Sequence, residues 1–151
     1  MLGLILVVVP STATGVKSKE IDRTVRILIA DDHPVIRKMV RSTLEKVPRF
    51  EVCGEAVDGA KAIVEAERLK PDVIVLNVTM PVLNGFEAAR EIKTKLPESA
   101  IVILSSNVDQ RFIEEAKNIG ARAYVAKTRA GEALVKAIEA AVKGDGFVLV
   151  E

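Results

Sequence analysis

Between Pro71-Asp72 and Asn77 runs Val73-Ile74-Val75-Leu76, an unbroken apolar stretch in which three of the four side chains are β-branched. A short run of this kind, with no polar member, has to be covered on both sides. It reads as a fully buried strand in the centre of a parallel sheet. Asn77 stands where that strand stops. In open α/β sheets, ligands bind just beyond the carboxyl ends of the strands, so Asn77 brings a neutral amide to the place where chemistry is expected.

The remaining chain supplies the neighbours that such a strand needs. Val25 to Ala30 is a second apolar run, ended by Asp31-Asp32. Pro34 opens a helix, as proline favours the first turn; Val35, Ile36, Met39, Val40, Thr43, Leu44 and Val47 share one face, Arg37, Lys38, Arg41 and Lys46 take the other, and Pro48 stops it. Phe50 to Ala56 is a strand, and Asp58-Gly59 starts a helix to Leu69. Asn84 is placed to cap a helix that Pro97 closes. Ala100 to Ser105 is a strand, Asn107 or Asp109 caps the next helix, and Gly120 ends it. Ala121 to Ala126 is a fifth strand, Gly131 to Lys143 the last helix, and Phe147 to Glu151 the start of a linker. Five strands alternating with five helices require an α/β doubly wound parallel sheet with helices on both faces, because right-handed crossovers must cover both sides.

Composition removes several function classes. Lys plus Arg is 22 against 21 for Asp plus Glu, so there is no basic excess for nucleic acid. Trp is absent and aromatics are 3%, which argues against base-stacking and ring-clamping sites. The one cysteine, Cys53, provides neither a disulfide framework nor a thiolate cluster and reads as a strand thiol.

Residues 1–24 form an extension, apolar from Met1 to Val9 and small or polar from Pro10 to Gly15. The apolar part is too short to span a bilayer and lacks the basic flank of a secretory signal. An extra strand or an upstream translation start accounts for it better. Ser11 to Ser18 is similar to the phosphate loop of flavodoxins. That loop requires a helix behind it, and Lys19 to Thr24 leaves no room for one.

Parallel strands point the same way, so their ends converge on one rim. Here the rim carries Asp31, Asp32, Asn77, Ser105 and Lys127. Two adjacent carboxylates beside a loop carbonyl suit a hard cation such as Mg²⁺. A hydroxyl and an ammonium on the same rim suit a phosphoryl group. No nucleophile–base pair for an enzyme with its own substrate is present.

The pattern resembles the receiver domain of two-component response regulators. The matching pieces are Ile29-Ala30-Asp31-Asp32-His33-Pro34, Pro71 to Leu76 with Met80-Pro81 and Asn84-Gly85, Ile103-Leu104-Ser105, and Gly120-Ala121 leading to Tyr124 and Lys127. The resemblance extends from about Val25 to Val142. It implies a (βα)5 flavodoxin-like fold with strand order 2-1-3-4-5, and a receiver domain over residues 25–146. The Asp-Asp-His-Pro wording is similar to the subfamily that usually carries a LuxR-type helix-turn-helix, although no such domain follows Glu151 in this sequence. By the same resemblance, Asp31, Asp32 and the Thr79 carbonyl are Mg²⁺ ligands, and Ser105 and Lys127 contact the phosphoryl group. Tyr124 is the aromatic whose rotamer follows activation, and Ser105 and Tyr124 belong to the switch and partner surface. His33 is part of the turn. The implied partners are a histidine kinase, another regulator or a homodimer mate, in the cytoplasm, with no nucleic acid and no membrane span.

Asn77 occupies the family's phosphoacceptor position. A carboxylate oxygen is a nucleophile; an amide is not, because its nitrogen lone pair is delocalised and its oxygen uncharged. Acyl-phosphate formation at Asn77 is therefore excluded. Asp31, Asp32 and Lys127 sum to −1 rather than the −2 an aspartate would give, so only weak Mg²⁺ binding is expected. The chain reads as a phosphorylation-incompetent pseudo-receiver, not an enzyme, acting by protein–protein interaction. The competing readings are a conventional receiver with an engineered Asp-to-Asn replacement, a receiver that uses Ser105 or another hydroxyl as acceptor, and a flavodoxin-like redox protein.

Overall fold

The computed structural model describes residues 23–151. The readings made for residues 1–22, including the extra strand and the Ser11 to Ser18 loop, lie outside the described residues. The elements are β1 (Val25–Ala30), α1 (Pro34–Leu44), β2 (Phe50–Ala56), α2 (Gly59–Leu69), β3 (Val73–Leu76), α3 (Gly85–Lys95), β4 (Ala100–Ser105), α4 (Gln110–Ile119), β5 (Ala123–Ala126), a single 3₁₀ turn (Lys127–Arg129), α5 (Ala130–Lys143) and β6 (Val148–Val150). Every strand pairing is parallel, in the order β2-β1-β3-β4-β5-β6.

β3 is central, and all its residues are buried. The pleat divides each strand between two cores. Ile27, Ile29, Val73, Val75, Val102, Leu104 and Val125 join Val40 and Leu44 of α1 and Leu134, Ala137, Ile138 and Ala141 of α5. Leu28, Ile74, Leu76, Ile101, Ile103 and Tyr124 join Ala62 and Ala66 of α2, Ala88, Ala89 and Ile92 of α3, and Ile113 and Ala116 of α4. The alanines are the reason three helices fit on one face: they let the backbones approach the sheet closely.

The sequence signals for the helix ends act as expected. Asn84 accepts from the Glu87 N–H while the Glu87 carboxylate accepts from the Asn84 N–H, a complete capping box. Of the two candidate caps for α4, Asp109 is the one whose side chain accepts a first-turn N–H. The helix α1 ends at Leu44, a turn ahead of Pro48.

One boundary is corrected. The sequence reading assigns residues 147–151 to a linker and five strands to the sheet. Among the described residues the sheet has six strands, because Val148, Leu149 and Val150 pair in parallel with Ala123, Tyr124 and Val125. Gly144 and Gly146, both at positive φ (75° and 100°), turn the chain back after α5. The β5 edge then offers unpaired backbone groups to a β-branched segment.

Candidate functional site

The strand registers set the rim. Ala30, Leu76 and Ile103 lie side by side, so Asp31 and Asn77 are each one residue past a strand end. The last strand-like bonds hold them there: Asn77 N–H donates to Ala30 O at 2.9 Å, and Asp31 N–H to Ala56 O at 3.0 Å. Gly85 fixes the returning loop, since its N–H donates to Val78 O at 2.7 Å. A Cβ at Gly85 would stand 2.0 Å from the Asn77 carbonyl oxygen, so only glycine fits.

Asp31, Asn77 and Ser105 are buried, with Asn77 at 4% exposure. The structure brings Asp31, Asp32, Asn77, Thr79 and Lys127 together. Lys127 Nζ is 2.9 Å from Asp31 Oδ2. The pair lacks hydrogen-bond alignment, and that oxygen has no hydrogen-bond donor among the described residues. Asn77 Nδ2 donates to Thr79 O at 2.8 Å and faces Asp32 Oδ1 at 3.3 Å. Both neighbours are pure acceptors, so the hydrogen-bond pattern assigns the nitrogen, and not the amide oxygen, to this side.

The donor set has the chemistry of a hard-cation site. Asp31, Asp32 and the Thr79 carbonyl would hold Mg²⁺, with the Lys127 ammonium, 2.9 Å from Asp31 Oδ2, as a competing positive charge. The amide nitrogen, however, already serves two of these oxygens with its N–H bonds. A cation has to displace it or turn the amide over, and it gains no third carboxylate for doing so. The group fits, but weakly. When bound, the ion would offset the carboxylate charge on the rim.

Three features escaped the sequence. First, His33 does more than turn the chain. Its N–H donates to Asp31 Oδ1 at 2.9 Å, and its ring Nδ1 lies 3.0 Å from Asp31 Oδ1 and 3.3 Å from Asp32 Oδ1. The Nδ1–H tautomer suits both contacts. The Asp31, Asp32 and His33 ligand atoms all fall within 4.8 Å of one another. Second, Arg37 is not on a solvated face. Its Nη1 donates to the Asp31 carbonyl at 2.7 Å and its Nε to Glu55 at 2.9 Å, while Arg41 Nε donates to the other Glu55 oxygen at 2.8 Å. Burial pushes the Glu55 carboxyl up, but the bonds from Arg41 and Arg37 outweigh it and hold it below its ordinary value. Glu55 on β2 therefore braces the residue that holds Asp31. The only signal for this was the pattern of arginines on α1 facing a glutamate in a strand.

Third, Asn107 joins the β4 end to β5. Its N–H donates to Ser105 Oγ at 3.0 Å, its Oδ1 accepts from the Asp109 N–H at 2.8 Å, and its carbonyl accepts from the Tyr124 hydroxyl. Ser105 is thus engaged with Asn107. Tyr124 is fully buried, its ring inward. Burial raises the Tyr124 pKa above its ordinary value, the Ser105 hydroxyl opposes this, and the Asp109 charge adds to it.

Comparison with known proteins places this geometry. Residues 27–139 match the model of the response regulator receiver domain. The chain is similar to the transcriptional regulatory protein LiaR of Bacillus subtilis, 36% identical over 121 residues, covering 80% of this chain and 57% of that protein. It is 31% identical to the transcriptional regulatory protein DegU of Brevibacillus brevis, covering 84% of this chain and 54% of that one. The chain therefore spans somewhat more than half the length of these relatives. Among solved structures, a two-component response regulator of the LuxR family from Aurantimonas sp. SI85-9A1 superposes with a TM-score of 0.78 at 34% identity, over 82% of this chain and 89% of that one. The non-phosphorylated receiver domain of the stress response regulator RcsB from Escherichia coli gives 0.78 at 27%, over 83% and 98%.

Proposed function

We propose a function from the premise that this chain belongs to the response regulator receiver domain family and is a receiver domain of two-component signalling: it acts as an interaction module that takes no phosphoryl group. The observation that carries this reading is the Asn77 amide, whose nitrogen donates to Thr79 O and faces Asp32 Oδ1 at 2.8 and 3.3 Å. That group occupies the position where the family's aspartate attacks phosphorus. It has no nucleophilic atom, and its N–H bonds engage Thr79 O and Asp32 Oδ1, two of the oxygens that would hold a metal ion.

Two further features support the reading. Ser105, the alternative acceptor, is buried and tied to Asn107. Tyr124 already lies inward, its hydroxyl bonded to the Asn107 carbonyl, with Asn77 carrying no phosphoryl group. The module recognises a protein partner in the cytoplasm and performs no catalysis. Among the described residues no helix is long and apolar enough to cross a membrane.

Intact-mass spectrometry after incubation with acetyl phosphate and Mg²⁺ tests the reading. The chain is expected to keep its mass, and the Asn77→Asp variant to gain one phosphoryl group. Uptake by the unmodified chain would place the acceptor elsewhere and refute it.

A further inference from the structure

Among the described residues two that are not glycine have positive φ, Lys70 at 49° and Val82 at 71°. Lys70 ends α2 as a left-handed cap, a common place for that conformation. Val82 ends no helix, and its β-branched side chain makes positive φ costly. The turn is also tight. The Leu83 N–H donates to Pro81 O at 2.7 Å, which together with positive φ at Val82 is the strained form of the γ-turn. No burial offsets the strain, because the Val82 side chain is 80% exposed. Such a conformation persists only where the surroundings fix the chain on both sides of it.

Both sides are fixed here. Downstream, a Cβ at Gly59 would stand 2.0 Å from Leu83 O, so that carbonyl is seated against the start of α2. The Leu83 side chain packs on the core beneath α2 and α3, and the capping box holds Asn84. Upstream, Met80 is buried, and Asn77 Nδ2 donates to Thr79 O at 2.8 Å while it faces Asp32 Oδ1 at 3.3 Å. Little can turn between these points. Proline fixes φ at Pro81, and the residue before a proline is confined to extended backbone. A position imposed at Thr79 is therefore carried to Val82, the first residue with torsions left to absorb it.

We propose that Asn77 is the positioning residue of this loop: its amide ties Thr79 to the rim, as a cation would, and the strained turn at Val82 is held by that tie. An aspartate at position 77 has no hydrogen to donate to Thr79 O when ionised, and would leave that carbonyl to a metal ion. With the amide, the loop keeps one conformation, Val82 outward, with or without a cation. This deepens the reading of the chain as a receiver that takes no phosphoryl group, and rests on it: the side chain that forfeits the phosphorus chemistry sets the loop.

The test is a double-mutant cycle on the full chain in EDTA without a phosphoryl donor, read by urea unfolding and by NMR. Val82→Gly relieves the positive φ and is expected to raise the folding equilibrium constant of the parent about fivefold. In Asn77→Ala the tie is gone and Val82 can return to negative φ, so the same glycine is expected to give no gain. The HN–Hα coupling and intraresidue NOE of Val82 should report positive φ in the parent and its loss in Asn77→Ala, while the β1 and β5 amides hold their positions. If Asn77→Ala fails to fold, Asn77→Asp takes its place. It should show the same loss in EDTA, and its Thr79 to Gly85 amides should return toward their parent positions in Mg²⁺. An equal gain from Val82→Gly in both backgrounds, no gain in the parent, or a Val82 φ that stays positive without the amide overturns the proposal. So does an Asn77→Asp loop that ignores Mg²⁺. None of these outcomes alters the mass of the chain, so failure here stays separate from failure of the phosphorylation reading.

Discussion

Replacing Asn77 with aspartate exchanges a hydrogen-bond donor for a negative charge at the most crowded point of the rim. In the metal-free protein the new oxygen stands where Nδ2 now lies, 3.3 Å from Asp32 Oδ1 and 2.8 Å from Thr79 O. Two unit charges at 3.3 Å repel by about 5 kcal/mol at an effective dielectric near 20. The Asp32 side chain is 28% exposed, and Lys127 sits on the same rim, so solvent and rearrangement remove about half of this. The lost bond to Thr79 O restores about 1 kcal/mol to the penalty. Asn77→Asp is therefore expected to be less stable than the parent chain by about 3 kcal/mol in EDTA, a fall in Tm of roughly 5–10 °C. The repulsion raises the folded-state pKa of the new carboxyl, so the penalty is absent below its unfolded pKa, near 4, and grows as pH rises past it. Mg²⁺ closes most of this gap. At about 100 times its Kd it returns roughly 2.7 kcal/mol to the variant, while the parent gains little, having one carboxylate fewer. Thermal unfolding followed by circular dichroism, with and without 10 mM (about 100 Kd by the assumption above) Mg²⁺, reads both effects. Equal stabilisation of parent and variant by Mg²⁺, or a variant as stable as the parent in EDTA, would refute this account of the rim.

Other perturbations probe the supports of the rim. Gly85→Ala drives a methyl group into the Asn77 carbonyl; neither partner is a flexible side chain, and a loss of at least about 2 kcal/mol in urea unfolding is expected. Arg37→Ala removes bonds to the Asp31 carbonyl and to Glu55, which should cost about 2 kcal/mol and let the Glu55 carboxyl titrate closer to its ordinary range in an NMR titration. Because the folded Glu55 carboxyl lies low, its contribution is present above the unfolded pKa and lost as pH falls, so the variant's acid limb should be shallower. Tyr124 is the only tyrosine, so phenolate absorbance near 295 nm (the usual band, ~295 nm) reads it alone. Its raised pKa means that stability is kept below about pH 10 and lost as pH rises through the folded value. Ionisation should coincide with unfolding rather than precede it.

Much of this was legible along the chain. A four-residue apolar run can be satisfied only by burial on both faces, so β3 and its central place follow from composition alone. Asn84 with Glu87, Pro34 and Gly120 mark helix ends because caps act within one turn. The rim residues Asp31, Asp32, Asn77 and Lys127 follow from the parallel direction of the strands, and the loss of the nucleophile follows from the chemistry of an amide. Tertiary structure alone decided which atoms meet. That the Asn77 nitrogen reaches Thr79 and Asp32, that Arg37 turns from solvent to the Asp31 carbonyl, and that Asn107 links Ser105 to Tyr124 all depend on register between elements distant in sequence. The segment Phe147 to Glu151 carries the same ambiguity in its purest form. Its valines favour an extended chain whether it leads away or pairs, and only the open edge of β5, built from residues 123–126, makes it a strand.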